Sequence, residues 1–281
     1  MTESLQNRDI TDEAMISIPM RPFLRWAGGK RWLTRQEIIG QAHDARIVEP
    51  FVGGGALFFS RAWRGAILAD INQFLINAYS KMRSNHLQLF EMLIEHFDYH
   101  TKDRYYEVRD RMGASSIQDA ADFVYLNRSC FNGLFRVNKS GRFNVPFGTK
   151  VYELRDVNEF ELWAYKLQSA EIRLSDFEET INACVEGDLI FADPPYTVNH
   201  NSNGFIEYNE KIFGWADQVR LHDCLLRASN RGARFVLTNA DHITVRELYH
   251  GCALRTVERG SEMAGLRTAR GRTTEVIITS F

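Results

Sequence analysis

Short runs of apolar residues alternate with longer amphipathic stretches over most of the chain, and these runs predict a series of β-strands. They fall at about residues 46–52, 65–70, 170–175, 187–192, 233–239 and 274–281. Helical patterns occupy most of the intervals between them. This alternation predicts an α/β protein.

The stretch from about 77 to 155 interrupts the alternation. Leu87–Asp98 and Asp119–Asn127 have helical patterns, and residues 129–149 are rich in Asn, Gly and Arg. We therefore predict an inserted, mainly helical lobe followed by a hairpin with Gly141 near its turn. The predicted division is a flexible N-terminal extension, one discontinuous domain and one inserted domain, at residues 1–19, 20–76 with 156–281, and 77–155.

The tetrapeptide Asp193-Pro194-Pro195-Tyr196 follows directly on the apolar run at 188–192. Its two prolines fix the backbone and remove two N–H donors, so the turn presents carbonyl oxygens and the Asp193 carboxylate. Tyr196 adds a ring for stacking. The pattern is typical of a site that binds a planar amine, although a strand ending in a simple Pro-Pro turn would look the same.

Methyl transfer to an exocyclic amino group needs such a cluster. The nitrogen lone pair of the amine is delocalised into its heterocycle and attacks poorly. Acceptors for both N–H hydrogens localise the lone pair and stabilise the positive charge that develops on nitrogen. An activated methyl donor supplies the reactivity, so the protein has only to align the reactants. The chain should therefore also contain a nucleoside-binding site.

A glycine turn and a carboxylate predict that site. Gly53-Gly54-Gly55 separates a strand-like run from the helix-like segment Ala56–Ala62, and the missing side chains allow a ligand to approach the backbone. Asp70 ends the next strand-like run, where doubly wound folds carry an acid for ribose hydroxyls. The dinucleotide fingerprint itself fails, because Phe58 stands in place of its third glycine.

Four segments resemble, in order, the motifs of the Dam-type (D12 class, alpha-group) DNA adenine-N6 methyltransferases: Phe23–Lys30, Glu49–Gly55, Leu68–Asn72 and Asp193–Tyr196. In addition, residues 125–138 and 141–148 resemble that family's target-recognition segment. The resemblance spans roughly residues 22–281. It implies a Rossmann-like S-adenosylmethionine-dependent methyltransferase sheet, with the inserted lobe and hairpin as the DNA-binding domain.

The resemblance implies that the tetrapeptide acts on an adenine amine and that S-adenosyl-L-methionine is the methyl donor. Trp26 would wall the methionine moiety, Lys30 would reach its carboxylate and Asp176 would accept the cofactor's adenine amine. Trp26 and Phe51 could equally be core residues, and Asp176 a helix N-cap. The implied cofactor residues are Trp26, Ala27, Gly28, Lys30, Glu49, Pro50, Phe51, Gly53, Gly55, Asp70, Ile71, Asp176, Phe177 and Asp193.

Double-stranded DNA is the partner that the resemblance implies. Arg136 matches a guanine-reading arginine, which can bind guanine O6 and N7 with two hydrogen bonds. Arg25 stands where relatives carry a lysine, and Phe131 where they carry a wedging tyrosine. These matches favour GATC sites, with the target adenine rotated out of the stack. The implied DNA-binding residues are Arg25, Arg128, Phe131, Asn132, Leu134, Arg136, Asn138, Pro146, Arg267, Arg270 and Arg272.

Composition and charge bear on how the chain could bind DNA and on where it works. The 281 residues carry a formal net charge of −2, so any DNA binding rests on local basic patches. The four cysteines lack metal-site spacing, and the first residues lack a long apolar core. These features predict a reduced, cytoplasmic protein without a metal or a membrane span, and the family resemblance implies a bacterial or phage-infected cell and association with the nucleoid.

Two alternatives stay open. The same fold could methylate another amine, such as cytosine N4 or adenine in RNA, although cytosine-N4 enzymes typically carry serine at the position of Asp193. The chain could also be a DNA-binding regulator that has lost catalysis, against which the intact Asp193, Asp70 and glycine turn argue. Oligomeric state and pairing with a restriction nuclease are not determined by the sequence.

Overall fold

The computed structural model describes residues 18–40, 44–196, 213–260 and 272–281. These residues divide into two compact units, each described separately. The first unit comprises the described residues of Met1–Gly40, Gly54–Trp63 and Asn77–Ala170, and the second those of Gln41–Gly53, Arg64–Ile76 and Glu171–Phe281.

The described residues contain a seven-stranded sheet in the order β3-β2-β1-β4-β5-β7-β6. Strand β1 pairs in parallel with β2 and with β4, and β4 pairs in parallel with β5. Strand β7 runs antiparallel to both β5 and β6. The strands are β1 Arg46–Glu49, β2 Gly65–Asp70, β3 Ala170–Leu174, β4 Asp188–Ala192, β5 Arg234–Ala240, β6 Ala253–Gly260 and β7 Arg272–Thr279.

Helices precede and follow these strands along the chain, so the predicted α/β class is confirmed. The α-helices of the described residues are α1 Glu37–Gly40, α2 Gln73–Ser84, α3 His86–Asp98, α4 Lys102–Arg111, α5 Ile117–Ser129, α6 Val157–Leu167, α7 Phe177–Asn182, α8 Trp215–Asn230 and α9 Ile243–Leu248. None of them is long and apolar enough to cross a membrane.

The second unit has its core on one face of the sheet. Alternate residues of the strands, such as Ile190 on β4 and Leu237 on β5, pack with Ile181 of α7, Leu221 of α8 and Val245 of α9. Every residue of β4 is buried, as expected for a central parallel strand with no solvent-facing side. This rigid centre carries the residues that follow β1, β2 and β4.

Helices form the core of the first unit. Helix α3 packs against α5 and α6, and α4 packs against α5. Side-chain caps define where these helices begin: Thr101 caps α4, Asp156 caps α6, and Ser116 with Asp119 forms a capping box at α5. Helix α4 was not predicted from the sequence, because its strongly polar sequence has only two buried side chains, Tyr105 and Val108.

The predicted hairpin follows α5. An antiparallel bridge joins Val137 to Phe143, and the Asn138 N–H donates to the Arg142 carbonyl at 2.8 Å. Gly141 lies in the turn with φ of 74°, a left-handed conformation that glycine adopts without strain. The sequence therefore located the turn correctly.

The structure differs from the sequence expectations about secondary structure at three places. The segment Ala56–Ala62 is not an α-helix but contains the short 3₁₀ helix Phe58–Ser60. There the Leu57 carbonyl accepts hydrogen bonds from the backbone N–H and the hydroxyl of Ser60 and from the Trp63 indole.

Strand β6 was not predicted from the sequence, since it lies at the edge of the sheet and its sequence has no continuous apolar run. The expected strand at 46–52 ends at Glu49 because Pro50 supplies no N–H.

The two units divide the chain differently from the predicted domains. Residues 20–40, 54–63 and 156–170 belong to the first unit, whereas the sequence analysis grouped them with the catalytic domain. The predicted N-terminal extension lies outside the described residues except for Ile18 and Pro19. The boundary of a DNA-binding domain at 77–155 stays a prediction.

Candidate active site

The second unit has a change of direction in its strand order at β1. Strands β2 and β3 follow on one side of β1, and β4 and β5 on the other. In open α/β sheets, ligands bind outside the carboxyl ends of the strands at such a point. Glu49 ends β1, Asp70 ends β2 and Asp193 directly follows β4. Because these strands are parallel, the three acidic residues lie along one edge of the sheet.

The carboxylate of Asp193 is held by a neighbouring strand. The Thr238 hydroxyl donates to Asp193 Oδ1 at 2.7 Å, and the Tyr196 hydroxyl lies 3.4 Å from the same oxygen. Thr238 is fully buried on β5. The register of β4 and β5 pairs Ala192 with Leu237, so the residues that follow them are neighbours. No local motif links Thr238 to Asp193, and the signal for it in the sequence is its place near the end of the apolar run at 233–239.

This arrangement orients an acceptor. A hydroxyl that donates to one carboxylate oxygen restricts the rotation of the group and stabilises its negative charge. Pro194 is buried, while Asp193, Pro195 and Tyr196 are half-buried, so the tetrapeptide is both anchored and accessible. Chemically, the site can accept hydrogen bonds from an amine and place a ring beside it.

Asp70 presents a second carboxylate at the same edge. It accepts the N–H of Asn72 at 3.0 Å and of Gly53 at 3.4 Å. Burial raises the pKa of Asp70 to about 6, and the backbone hydrogen bonds from Asn72, Gly53 and Ile71 offset only part of that rise. A carboxylate in this position gains from further donors such as sugar hydroxyls. The next side chain, Ile71, is 69% exposed and offers an apolar surface there.

Aromatic packing accounts for Phe51 and Phe177. Their rings stack with centroids 5.3 Å apart, and Phe213 contacts both. Phe177 belongs to the core and Phe51 packs against it. Phe51 is therefore partly buried against the core, as one of its two interpretations expected. The preceding residues Glu49 and Pro50 are fully buried.

Asp176 caps helix α7, as the alternative interpretation of this residue expected. Its Oδ1 accepts the N–H of Glu178 at 2.8 Å. Its two oxygens also accept from the Arg220 guanidinium, at 2.8 and 3.1 Å. Arg220 is a second residue that the sequence analysis missed, because no local motif links helix α8 to Asp176.

The remaining cofactor candidates belong to the first unit. Lys30 is buried, and its ammonium donates to the Gly28 carbonyl at 2.7 Å. Trp26 stacks on Phe135 with ring centroids 5.9 Å apart, while Ala27 and Gly28 are exposed. Gly55 has φ of 65°, and a Cβ there would lie 2.7 Å from the Tyr79 hydroxyl. Glycine is therefore required at position 55 by both conformation and space.

Arg136 is held within the hairpin. Its Nε donates to Asn144 Oδ1 at 2.8 Å, and its Nη2 donates to the Asn144 carbonyl at 3.3 Å. The Oδ1 of Asn138 accepts from Ser140 and Arg142, so that side chain shapes the turn. Asn144, which was not among the predicted site residues, fixes the direction of the Arg136 guanidinium.

Arg25 and Arg128 form a pair of like charges. Arg25 lies over the Tyr152 ring at 3.5 Å, and its backbone exchanges two hydrogen bonds with the Asn127 side chain. The Nε of each arginine is buried without a hydrogen-bond partner among the described residues. Desolvation, with the Arg25 charge as a second cause, lowers the pKa of Arg128 to about 10. Two adjacent guanidinium groups of this kind favour an anionic partner.

Exposure separates the other predicted DNA-binding residues. Phe131 is 43% exposed in the 3₁₀ helix Phe131–Gly133, and Asn132 in that turn has a left-handed φ of 56°. Pro146 is exposed, and Leu134 is half-buried. Arg267 and Arg270 lie outside the described residues, and Arg272 begins β7. Nowhere in the described ranges do three or more His, Cys, Asp or Glu residues form a potential metal site.

Comparison with known proteins identifies the class. The sequence model of the D12 class N6 adenine-specific DNA methyltransferases matches residues 26–263, and the chain belongs to that family. The seven-stranded mixed sheet is consistent with the S-adenosylmethionine-dependent methyltransferase fold expected for it. The protein is an adenine-specific DNA methyltransferase, as the sequence motifs predicted.

Relatives agree over most of the chain. The type II methyltransferase M1.LlaDCHI of Lactococcus lactis subsp. cremoris is 35% identical over 94% of this chain and 96% of its own length. The DNA adenine methylase of Haemophilus influenzae is 35% identical over 85% of this chain and 86% of its own. The DNA N-6-adenine-methyltransferase of Escherichia phage P1 is 37% identical over 84% of this chain, but this match covers 32% of that longer protein.

Proposed function

We propose that the protein transfers a methyl group from S-adenosyl-L-methionine to the N6 amine of an adenine flipped out of duplex DNA, at GATC sites. The observation that carries the proposal is the oriented Asp193 carboxylate at the sheet edge that also presents Asp70. The Asp193 carboxylate can accept hydrogen bonds from a target amine, and the Asp70 carboxylate can accept them from a nucleoside. Membership of the D12 class family supports adenine as the target base and DNA as the substrate.

The residues of the second unit fit a nucleoside sulfonium. Asp70 can accept ribose hydroxyls, and the exposed side chain of Ile71 can lie against a base. When bound, S-adenosyl-L-methionine supplies an electrophilic methyl group. By resemblance to the family motif at Phe23–Lys30, Trp26 and Lys30 are proposed to contact its methionine part.

Asp193 acts on the target amine. Its carboxylate, together with a carbonyl of the Pro194-Pro195 turn, accepts the two N–H hydrogens and directs the nitrogen lone pair towards the methyl carbon. Asp193 would hold the amine in line for attack, so that N6 would gain the methyl group, S-adenosylhomocysteine would be the leaving group, and the amine proton would pass to water. Tyr196 stacks on the adenine ring and limits its motion.

Recognition belongs to the first unit. Arg136, directed by Asn144, is proposed to bind a guanine of GATC, and exposed Phe131 to fill the space that the flipped adenine leaves. Arg25 and Arg128 are proposed to contact phosphate or base atoms of the site. The bacterial and phage relatives favour action in the cytoplasm of a bacterial or phage-infected cell, on nucleoid DNA.

The test is methylation of unmodified duplex DNA by purified protein with tritiated S-adenosyl-L-methionine, followed by sequencing that identifies modified bases. We expect N6-methyladenine within GATC. The Asp193→Ala variant should abolish turnover while it weakens cofactor binding only partly, because the carboxylate acts mainly as charge develops on the amine. Methylation of cytosine, or of RNA in preference to DNA, would contradict the proposal, as would near-normal turnover in the variant.

A further inference from the structure

Arg220 on helix α8 contacts three carboxylates at once. Its Nη1 donates to Asp176 Oδ1 at 2.8 Å and to Glu178 Oε2 at 3.2 Å. Its Nη2 donates to Asp176 Oδ2 and to Asp217 Oδ1, each at 3.1 Å. Both oxygens of Asp176 are therefore bound by one planar guanidinium, an arrangement that fixes orientation as well as position.

The same guanidinium also packs on the adjacent ring. Its central carbon lies 4.1 Å from the centroid of the Phe177 ring. Phe177 stacks in turn on Phe51, which follows β1. Arg220 thus contacts both the carboxylate and the ring of the Asp176-Phe177 pair at the start of α7.

Asp176 retains the capacity to bind a ligand. Its Oδ1 accepts both Arg220 and the Glu178 N–H, whereas among the described residues Oδ2 accepts a hydrogen bond from Arg220 alone. A carboxylate oxygen has two acceptor sites, so Oδ2 can take a further donor. The Asp176 side chain is 36% exposed, which allows a ligand to reach it.

We propose that Arg220 is the positioning residue that makes Asp176 a reader of the cofactor's adenine amine. This inference rests on the proposed use of S-adenosyl-L-methionine. Arg220 holds the carboxylate plane, and Oδ2 accepts the N–H of the amine. A nucleoside with a carbonyl oxygen in place of that amine meets the carboxylate with two acceptors facing each other, and is rejected.

Arginine is specifically suited to this role. A lysine would keep the charge but could not bind both carboxylate oxygens in one plane or stack equally on Phe177. Asp217 anchors the guanidinium from its own helix, and Asp217 Oδ2 accepts the Gly214 N–H at the start of α8. The first turn of α8 therefore holds the reading group in place.

The experiment titrates the protein with S-adenosylhomocysteine and with S-inosylhomocysteine, which differ in the amine. The wild type should prefer the adenosyl ligand by about tenfold or more, the scale of one charge-assisted hydrogen bond. Arg220→Met should remove most of that preference by weakening the adenosyl ligand while leaving the inosyl ligand nearly unchanged. Arg220→Lys should retain an intermediate preference for the adenosyl ligand. This variant provides the test if the methionine variant does not fold.

Arg227→Met is the matched control. Arg227 lies on the same helix and donates to Glu178 Oε1 at 2.9 Å. Within the described part of the chain it donates to Glu178, Asn182 and Cys224 and not to Asp176, so its removal should leave the ratio of the two dissociation constants unchanged. Thermal unfolding of each variant separates a loss of stability from a loss of discrimination.

The possible results distinguish a failure of the Arg220 inference from a failure of the proposed cofactor. Equal weakening of both ligands in Arg220→Met, with the preference intact, would mean that Arg220 only joins α7 to α8, and would overturn the inference. A wild type that binds both ligands equally would also overturn it, while methyl transfer could still be correct. A wild type that binds neither ligand would contradict the proposed cofactor itself.

Discussion

At the scale of single residues, the site depends on two carboxylates with different surroundings. Asp193 has a buried hydroxyl donor within 2.7 Å on the neighbouring strand. Asp70 has backbone donors, and burial nevertheless raises its pKa. One group is therefore oriented for hydrogen-bond acceptance, and the other is poised to respond to an added ligand or to pH.

Thr238→Val should lower kcat by about ten- to a hundredfold, because loss of a hydrogen bond to a charged group costs on the order of 1.5–3 kcal/mol. The change keeps the side-chain shape but removes the donor to Asp193 Oδ1. Single-turnover methylation at saturating cofactor measures the step directly. Thr238→Ser keeps the hydroxyl and should recover most of the rate. A fall in cofactor affinity with an unchanged kcat would show that Thr238 does not act through Asp193.

Cofactor affinity should weaken as pH falls below about 6, the raised pKa of Asp70. Ribose hydroxyls donate to the ionised carboxylate, so protonation removes an acceptor. The effect of pH on folding stability through Asp70 has the opposite sign. A raised carboxyl pKa gives stability that is complete below about 4, the ordinary value, and is lost as pH rises through about 6.

Calorimetric titration with S-adenosylhomocysteine between pH 5 and 8 checks the binding prediction, with an expected loss of up to about tenfold per pH unit at the acid end. Asp70→Asn should bind more weakly at neutral pH and show a flat profile. If the variant keeps the wild-type profile, another group controls the pH dependence.

At the scale of elements, the hairpin around Gly141 determines how Arg136 is presented. Residues on opposite arms pair across it, and Arg136 bonds to Asn144 in this way. An arginine whose Nε is already bonded has fewer accessible orientations, so its terminal nitrogens can meet a base edge at a smaller entropic cost. The element thus converts a flexible side chain into a directed one.

Arg136→Ala should cost discrimination at one guanine of the site, by about 1–3 kcal/mol. Asn144→Ala should produce a smaller loss at the same base pair, because the guanidinium remains but loses its direction. Comparison of kcat/KM on GATC and on every single-base variant measures both effects. Lys139→Ala, an exposed change at the hairpin turn, is the control and should leave the sequence preference unchanged. A uniform drop across all sequences would indicate a phosphate contact instead.

At the scale of the whole molecule, an anionic chain has to bind a polyanion. The formal net charge is −2, so overall attraction cannot supply the affinity. Local clusters must supply it, such as the adjacent guanidinium groups of Arg25 and Arg128. Binding that releases counterions from DNA is steeply dependent on salt whatever the net charge of the protein.

The logarithm of the DNA-binding constant should therefore fall linearly with the logarithm of salt concentration. Lys139→Ala should reduce that slope by about 1 if the hairpin lysine contacts a phosphate. Lys102→Ala, an exposed change of equal charge at the start of α4, is the comparison and should leave the slope unchanged. Fluorescence anisotropy over a range of salt concentrations measures both. Equal slopes in all three proteins would remove the hairpin lysine from the interface.

Most of the sheet could be predicted from local pattern. Strands β2, β4 and β5 are short apolar runs bounded by polar residues, and their positions agree with the prediction to within about a residue. Edge strand β6 and helix α4 could not be found in this way. Strand β6 is held by its pairing with β7, and α4 buries only a narrow side against α5.

By itself, the sequence determined the chemistry that the site offers: a carboxylate, two prolines and a ring after a buried strand, and a second acid after a glycine turn. These follow from residue type and near neighbours. Only the tertiary structure decided which distant groups hold them. Thr238 is 45 residues from Asp193, and Arg220 is 44 from Asp176. Such pairs form because strand register and helix packing are set by burial of the whole sheet, to which every strand and helix contributes and which no local segment specifies.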